Sequence, residues 1–96
     1  MYACYIIYSS RFDRYYVGAT QDCVFTRIQN HNFAKYKGAS TSFANDWEIF
    51  LIIECDSFST AVKVERHIKC MKSKTYIQNL KKYPEMIFKI KWKLST

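Results

Sequence analysis

Residues 4–23 read CYIIYSSRFDRYYVGATQDC, and how this stretch is read decides the fold. Residues 4–9 are apolar and rich in β-formers, residues 15–17 form a second such run, and the charged RFDR at 11–14 lies between them. The pattern predicts a β-hairpin whose second strand runs into Gly18. Tyr5, Tyr8, Tyr15 and Tyr16 crowd this hairpin, although leucine or valine could fill a core at such places. Tyrosine also suits half-buried strands, so two accounts are open: packing, or a use for the phenol hydroxyls.

Working outward, ATQD at 19–22 offers helix-capping residues, and CVFTRIQNHN carries Val24, Ile28 and His31 on one side of a first helix. Residues 33–46, FAKYKGASTSFAND, are polar around Gly38 and predict a loop long enough to suggest function. WEIFLIIE at 47–54 is an almost unbroken apolar run of strand length, expected to be the central strand. DSFST caps a second helix running to about Met71, and KSKTYIQNLKKY makes a third that ends before Pro84. Then Phe88, Ile90, Trp92 and Leu94 alternate with Lys89, Lys91 and Lys93, which predicts a last strand with one packed face and one lysine face. The order β-β-α-β-α-α-β is a mixed α/β (α+β) domain with antiparallel pairing.

Ninety-six residues suffice for one domain with one modest core. With 49% hydrophobic and 18% aromatic residues and only two glycines, the chain is globular rather than disordered. No apolar run reaches the ~20 residues of a bilayer crossing, and the first run lacks a leader pattern. Cys4, Cys23, Cys55 and Cys70 are scattered without zinc-ligand spacing, so four free thiols in a reducing, cytoplasmic setting are expected. Fifteen Lys and Arg against eight Asp and Glu leave a net charge of +7, with the basic residues thickening from Lys63 to Lys93. A polyanion is the natural partner, and nucleic acid fits better than a membrane because no segment joins a continuous basic face to a strongly apolar one.

At about 100° per residue, Ala61, Val64, Ile68 and Met71 form the apolar arc of the second helix. Lys63, Arg66, His67 and Cys70 point away, and Glu65 falls between Ala61 and Val62 on the buried side. A carboxylate there must be paired, protonated or bound to a cation. Lys69, one turn on, would pair with it, so a structural ion pair and a cation site are both open. Arg27 and His31 are likewise one turn apart; they form either a solvated stripe with a partly packed histidine or a place for a phosphate oxygen and a proton. Trp47 and Trp92 are read as core, and His67 is given no role. Hairpin tyrosines, an arginine and histidine, and a helix carboxylate suit phosphodiester hydrolysis, whereas no P-loop or G-x-G-x-x-G supports nucleotide chemistry.

Taken in order, these landmarks resemble the GIY-YIG nuclease superfamily in its small single-domain bacterial form, over residues 2–80. The first tripeptide falls on Ala3, Cys4 and Tyr5, where only the tyrosine is kept, and the second falls on Tyr16, Val17 and Gly18. Arg27 with His31 and Asn32, ANDW at 44–47, and AVKVERHIK at 61–69 follow. The spacing from Gly18 is one residue longer than usual, so Thr26 takes the arginine position unless the turn absorbs the insertion.

The resemblance implies a three-stranded antiparallel sheet flanked by helices, with the nuclease domain at 1–83; it says nothing of residues 84–96, an extension for which the residue pattern alone predicts an additional strand packed on the same domain. It implies one divalent metal, Mg2+ or Mn2+, on Glu65. Tyr5 or Tyr16 would orient or deprotonate the attacking water, Arg27 would stabilise the pentavalent phosphate, and His31 would assist proton transfer or hold Tyr5. Lys69, Lys72, Lys74 and Asn79 are the candidate nucleic-acid contacts. The expected activity is DNA endonuclease cleavage leaving a 5′ phosphate and a 3′ hydroxyl, with low sequence specificity, structure selectivity as an option, and a place in DNA repair or recombination. No small-molecule cofactor, membrane or protein partner is implied. A nucleic-acid-binding module of the same fold that cuts little is the alternative.

Overall fold

A computed structural model describes residues 2–32 and 44–94; the expected loop around Gly38 falls mostly outside them. Strand β1 (Tyr2–Ser9) pairs antiparallel with β2 (Arg14–Thr20), setting Tyr5 opposite Gly18 and Ile6 opposite Val17. Strand β3 (Glu48–Cys55) pairs antiparallel with the other edge of β1, giving the order β2-β1-β3. The hairpin turn places Asp13 at φ 50°, a left-handed conformation that Asp tolerates better than most residues. Tyr8 Oη donates to the Asp13 carboxylate at 2.7 Å and Lys74 Nζ approaches it at 2.9 Å, which ties the turn to a distant helix.

The centre of the sheet is therefore β1, and the 47–54 run expected there forms an edge strand instead. Both runs are continuously apolar, so periodicity could not rank them. Burial does: residues 3–7 of β1 are all fully enclosed, whereas most of β3 is only half-buried.

Alternation along β1 builds two cores. Ala3, Tyr5 and Ile7 face helix α1 (Val24–Asn32), whose Val24 and Ile28 pack with them and Trp47. Cys4 and Ile6 face the opposite layer, where Val64 and Ile68 of α2 (Phe58–Met71), Ile77 and Leu80 of α3 (Lys74–Lys82), and Ile90 of α4 (Pro84–Leu94) join Val17 and Ile53. Ser57 caps α2 by accepting the Thr60 N–H, and Ser73 caps α3 by accepting the Tyr76 N–H. Met71, assigned to the apolar arc of α2, is 46% exposed because that arc leaves the sheet before the helix ends.

The final element is a helix, and the strand expected from Phe88 does not form. Pro84 occupies the first helical position, Glu85 the first turn, and Lys91 and Lys93 the last, as the helix dipole favours. The same residues that alternate also satisfy a helical period: Met86, Ile87, Ile90 and Leu94 lie on one side and pack against the α2–α3 layer. Phe88 and Trp92, expected in the core, are turned outward at 71% and 70% exposure. Among the described residues no helix is long and apolar enough to cross a membrane.

Candidate active site

The α1 face of the sheet carries a polar group inside an apolar core. Tyr5 is fully enclosed, yet its ring lies across β2 at Gly18, where an added Cβ would meet Tyr5 Cζ and Oη at 2.5 Å. The φ of Gly18 is ordinary, so glycine is required there for room and not for conformation. With the ring seated this way, Tyr5 Oη lies 3.0 Å from His31 Nε2. The helical spacing from Val24 through Ile28 turns His31 inward to 3% exposure. Burial first, and the Arg27 charge second, push its pKa down from 6.5 to about 4, so the imidazole is neutral at neutral pH.

Tyr16, two residues before Gly18 and therefore on the same face of β2, brings its ring centroid to 5.2 Å from His31 and 6.5 Å from Tyr5. Unlike Tyr5 it is only half-buried. Arg27 is half-buried beside His31, with its Nε withdrawn from solvent. Thr26 is exposed at the start of the helix, so Arg27 is the residue of that pair whose charge acts on His31.

From the opposite layer, α2 adds the carboxylate. Glu65 is partly buried, with its side chain 20% exposed, and accepts from Lys69 Nζ at 2.8 Å. Lys69 Nζ also lies 5.4 Å from the Tyr16 ring centroid, reaching round the β2 edge. Burial pulls the Lys69 pKa down, but the hydrogen bond and charge of Glu65, with Tyr16, more than offset it and leave it above the ordinary value. Beneath the pair, burial and then the Glu65 charge push the Cys4 thiol up. The structure thus joins Glu65, Lys69, Tyr16, His31 and Tyr5 into one line of contacts, with Arg27 beside it.

Arg14, Tyr15, Tyr16, Lys69, Lys72 and Lys74 border a groove along the β2 edge. Lys72 enters it from the left-handed cap of α2 at φ 48°, and Lys74 is anchored on Asp13. Asn79 is not one of the residues bordering the groove; it is half-buried on α3, where its carbonyl accepts the Tyr83 N–H at 2.7 Å. His67, read as pointing away from the core with no role, is half-buried and lies 3.1 Å from Tyr76 Oη, a contact hidden until α3 folds against α2.

Two features escaped the sequence reading. Arg14 gives the groove a fourth cation; the sequence reading puts it in the RFDR turn, and its pairing with Ser9 shows that it begins β2, two residues before Tyr16. The Asn32 side chain clamps Trp47, accepting its N–H at 2.6 Å and donating to its carbonyl at 3.0 Å, so HN and ANDW meet in space and hold α1 against the start of β3.

A single carboxylate is a fitting protein ligand for Mg2+ or Mn2+, hard cations that commonly take one or two carboxylates and complete their shells with water and phosphate oxygens. Among the described residues no three His, Cys, Asp or Glu side chains cluster as a closed cage, so Glu65 would be the protein's anionic donor. The model of one family, described as the GIY-YIG catalytic domain, matches residues 1–84. No curated protein and no solved structure matches the chain.

Proposed function

Because the chain belongs to the GIY-YIG family of nuclease catalytic domains, we propose that it is a divalent-metal-dependent DNA endonuclease of low sequence specificity, leaving a 5′ phosphate and a 3′ hydroxyl. One observation carries the reading: a neutral His31 hydrogen-bonded to a fully buried tyrosine hydroxyl, directly under a second tyrosine that reaches solvent. A core needs no such group, because leucine in place of Tyr5 would bury apolar area without a polar atom to satisfy.

Tyr16 is the hydroxyl that would touch a water at the surface; its role is to orient that water and, as the phenolate, to take its proton. The hydrogen bond between Tyr5 Oη and His31 Nε2 fixes the neutral imidazole against Tyr16, so His31 holds the geometry of the two hydroxyls. Arg27 offers its planar fork to the phosphate oxygens as charge builds on them. Glu65 is the metal's protein ligand, and the bound cation would stabilise charge on the leaving oxygen. Lys69 aims the Glu65 carboxylate, and Arg14, Lys72 and Lys74 receive the backbone of the DNA along the groove. Contacts of this kind position without reading sequence.

The Glu65–Lys69 pair also favours a second reading, in which the carboxylate is satisfied structurally and the chain binds nucleic acid while cutting little. Nicking of plasmid and branched DNA with Mg2+ or Mn2+, against EDTA and against a Glu65→Gln protein, separates the two. The nuclease reading expects metal-dependent nicks that a ligase can seal, and none from folded Glu65→Gln. Equal nicking by the folded variant overturns the metal role of Glu65; a parent that binds DNA without cutting establishes the second reading.

A further inference from the structure

Helix α4 presents a face that the catalytic site does not use. At about 100° per residue, Met86, Ile87, Ile90 and Leu94 turn toward the core, which leaves Phe88 and Trp92 together at the middle of the outer arc. Lys89 and Lys93 flank these rings on one side and Lys91 on the other. Phe88, Lys89 and Trp92 border one shallow hollow, and the two rings with Lys91 border a second, closed by Asp56 and Thr60 at the start of α2. Burying either ring fully would stabilise the fold, yet both are about 70% exposed.

We infer that the outer face of α4 binds single-stranded nucleic acid, with unpaired bases stacking on Phe88 and Trp92 while phosphates meet Lys89 and Lys93. Charge complementarity selects this occupant. Three lysines against Glu85 leave α4 positive in a chain of net charge +7, so the partner is a polyanion, and the rings require one that also carries planar apolar faces. A second copy of this chain would bring lysine against lysine. An anionic membrane would meet only two rings, since the aliphatic residues of the helix point inward, and that is a small area for insertion. Asp56, beside Lys91, repels phosphate, which leaves Lys89 and Lys93 as the side along which a backbone can run; Glu85, one turn before Lys89, marks where that run ends. The inference concerns binding outside the catalytic groove and does not depend on cleavage.

The test uses the intact chain in EDTA, so that no strand is cut. Trp47 is buried and Trp92 exposed, so titration with a short oligothymidylate should quench the exposed tryptophan. Phe88→Ala with Trp92→Ala should weaken oligothymidylate binding by about tenfold or more, leave blunt-duplex binding unchanged and keep the parental melting temperature. Lys89→Gln with Lys93→Gln should lower the salt slope for the single strand by about 1.4. Unchanged single-strand affinity in the ring variant, or an equal fall for blunt duplex, overturns the inference. So does a ring variant that loses binding to phosphatidylserine vesicles, or its own self-association, while still binding oligothymidylate as the parent does.

Discussion

Gly18→Ala adds one methyl group at the place where the fold has least room. The new Cβ would lie 2.5 Å from Tyr5 Cζ and Oη, against about 3.5–4.0 Å for an ordinary carbon contact. The ring must therefore withdraw by about 1 Å or more. Tyr5 is fully enclosed, so any withdrawal strains its neighbours, at a cost of about 1–3 kcal/mol for overpacking. It also draws Oη, now 3.0 Å from His31 Nε2, past the ~3.2 Å limit of a good bond. Stranding a buried hydroxyl and imidazole costs about 1–3 kcal/mol more. Each kcal/mol lowers Tm by about 4–8 °C in a domain of this size, so melting followed by circular dichroism should show a fall of about 10 °C or more. In a Tyr5→Phe background Cζ remains but the hydrogen bond does not, so the same methyl should cost about 1 kcal/mol less. A Tm within about 4 °C of the parent, under 1 kcal/mol, would refute the seating of Tyr5 across Gly18.

Three further outcomes follow from the same site. His31 titrates at about 4 in the fold instead of 6.5, so its stability contribution is complete above the unfolded value, shrinks as pH falls and is gone below about pH 4; at about 1.36 kcal/mol per pH unit the loss is about 3 kcal/mol. Denaturant melts across that range should show the slope, and His31→Gln should flatten it; an unchanged slope counts against a neutral buried His31. Arg27→Ala should raise the His31 pKa in an NMR titration, whereas Arg27→Lys should keep it low yet slow cleavage, because the charge remains and the planar fork does not. Asn32→Ala leaves the Trp47 N–H and carbonyl without their side-chain partner and should cost about 1–3 kcal/mol in a urea melt; a cost below about 0.5 kcal/mol would mean that the clamp does not hold α1.

The hairpin, the strand at 47–54 and the first three helices were legible because each rests on local signals: β-formers around a charged turn, Ser57 and Ser73 as caps, and one apolar stripe per helix; the three-strand count came from the family resemblance, and the strand order was not legible. IFKIKWKL misled because alternating residues can satisfy two periods at once. What settles α4 is Pro84 at the first helical position and a waiting surface around Ile68, Ile77 and Leu80, a tertiary fact that no short window contains. The exposure of Phe88 and Trp92 follows from that change of period. At the candidate site, the residue types and the spacing of Arg27 from His31 and of Glu65 from Lys69 were visible along the chain. The Tyr5–His31 bond and the need for Gly18 were not, since they depend on the register that sets residue 5 opposite residue 18.

The central claim is that the tyrosine hydroxyls on the α1 face serve a reaction and do not merely pack. Single-turnover nicking by Tyr16→Phe and Tyr5→Phe, each compared with the parent at saturating Mg2+ or Mn2+, tests it most directly because only an oxygen is removed. A fall of about 10²-fold or more in at least one of them, in protein that melts close to the parent, is the predicted result. Parental rates in both folded variants would contradict it and return the hydroxyls to packing.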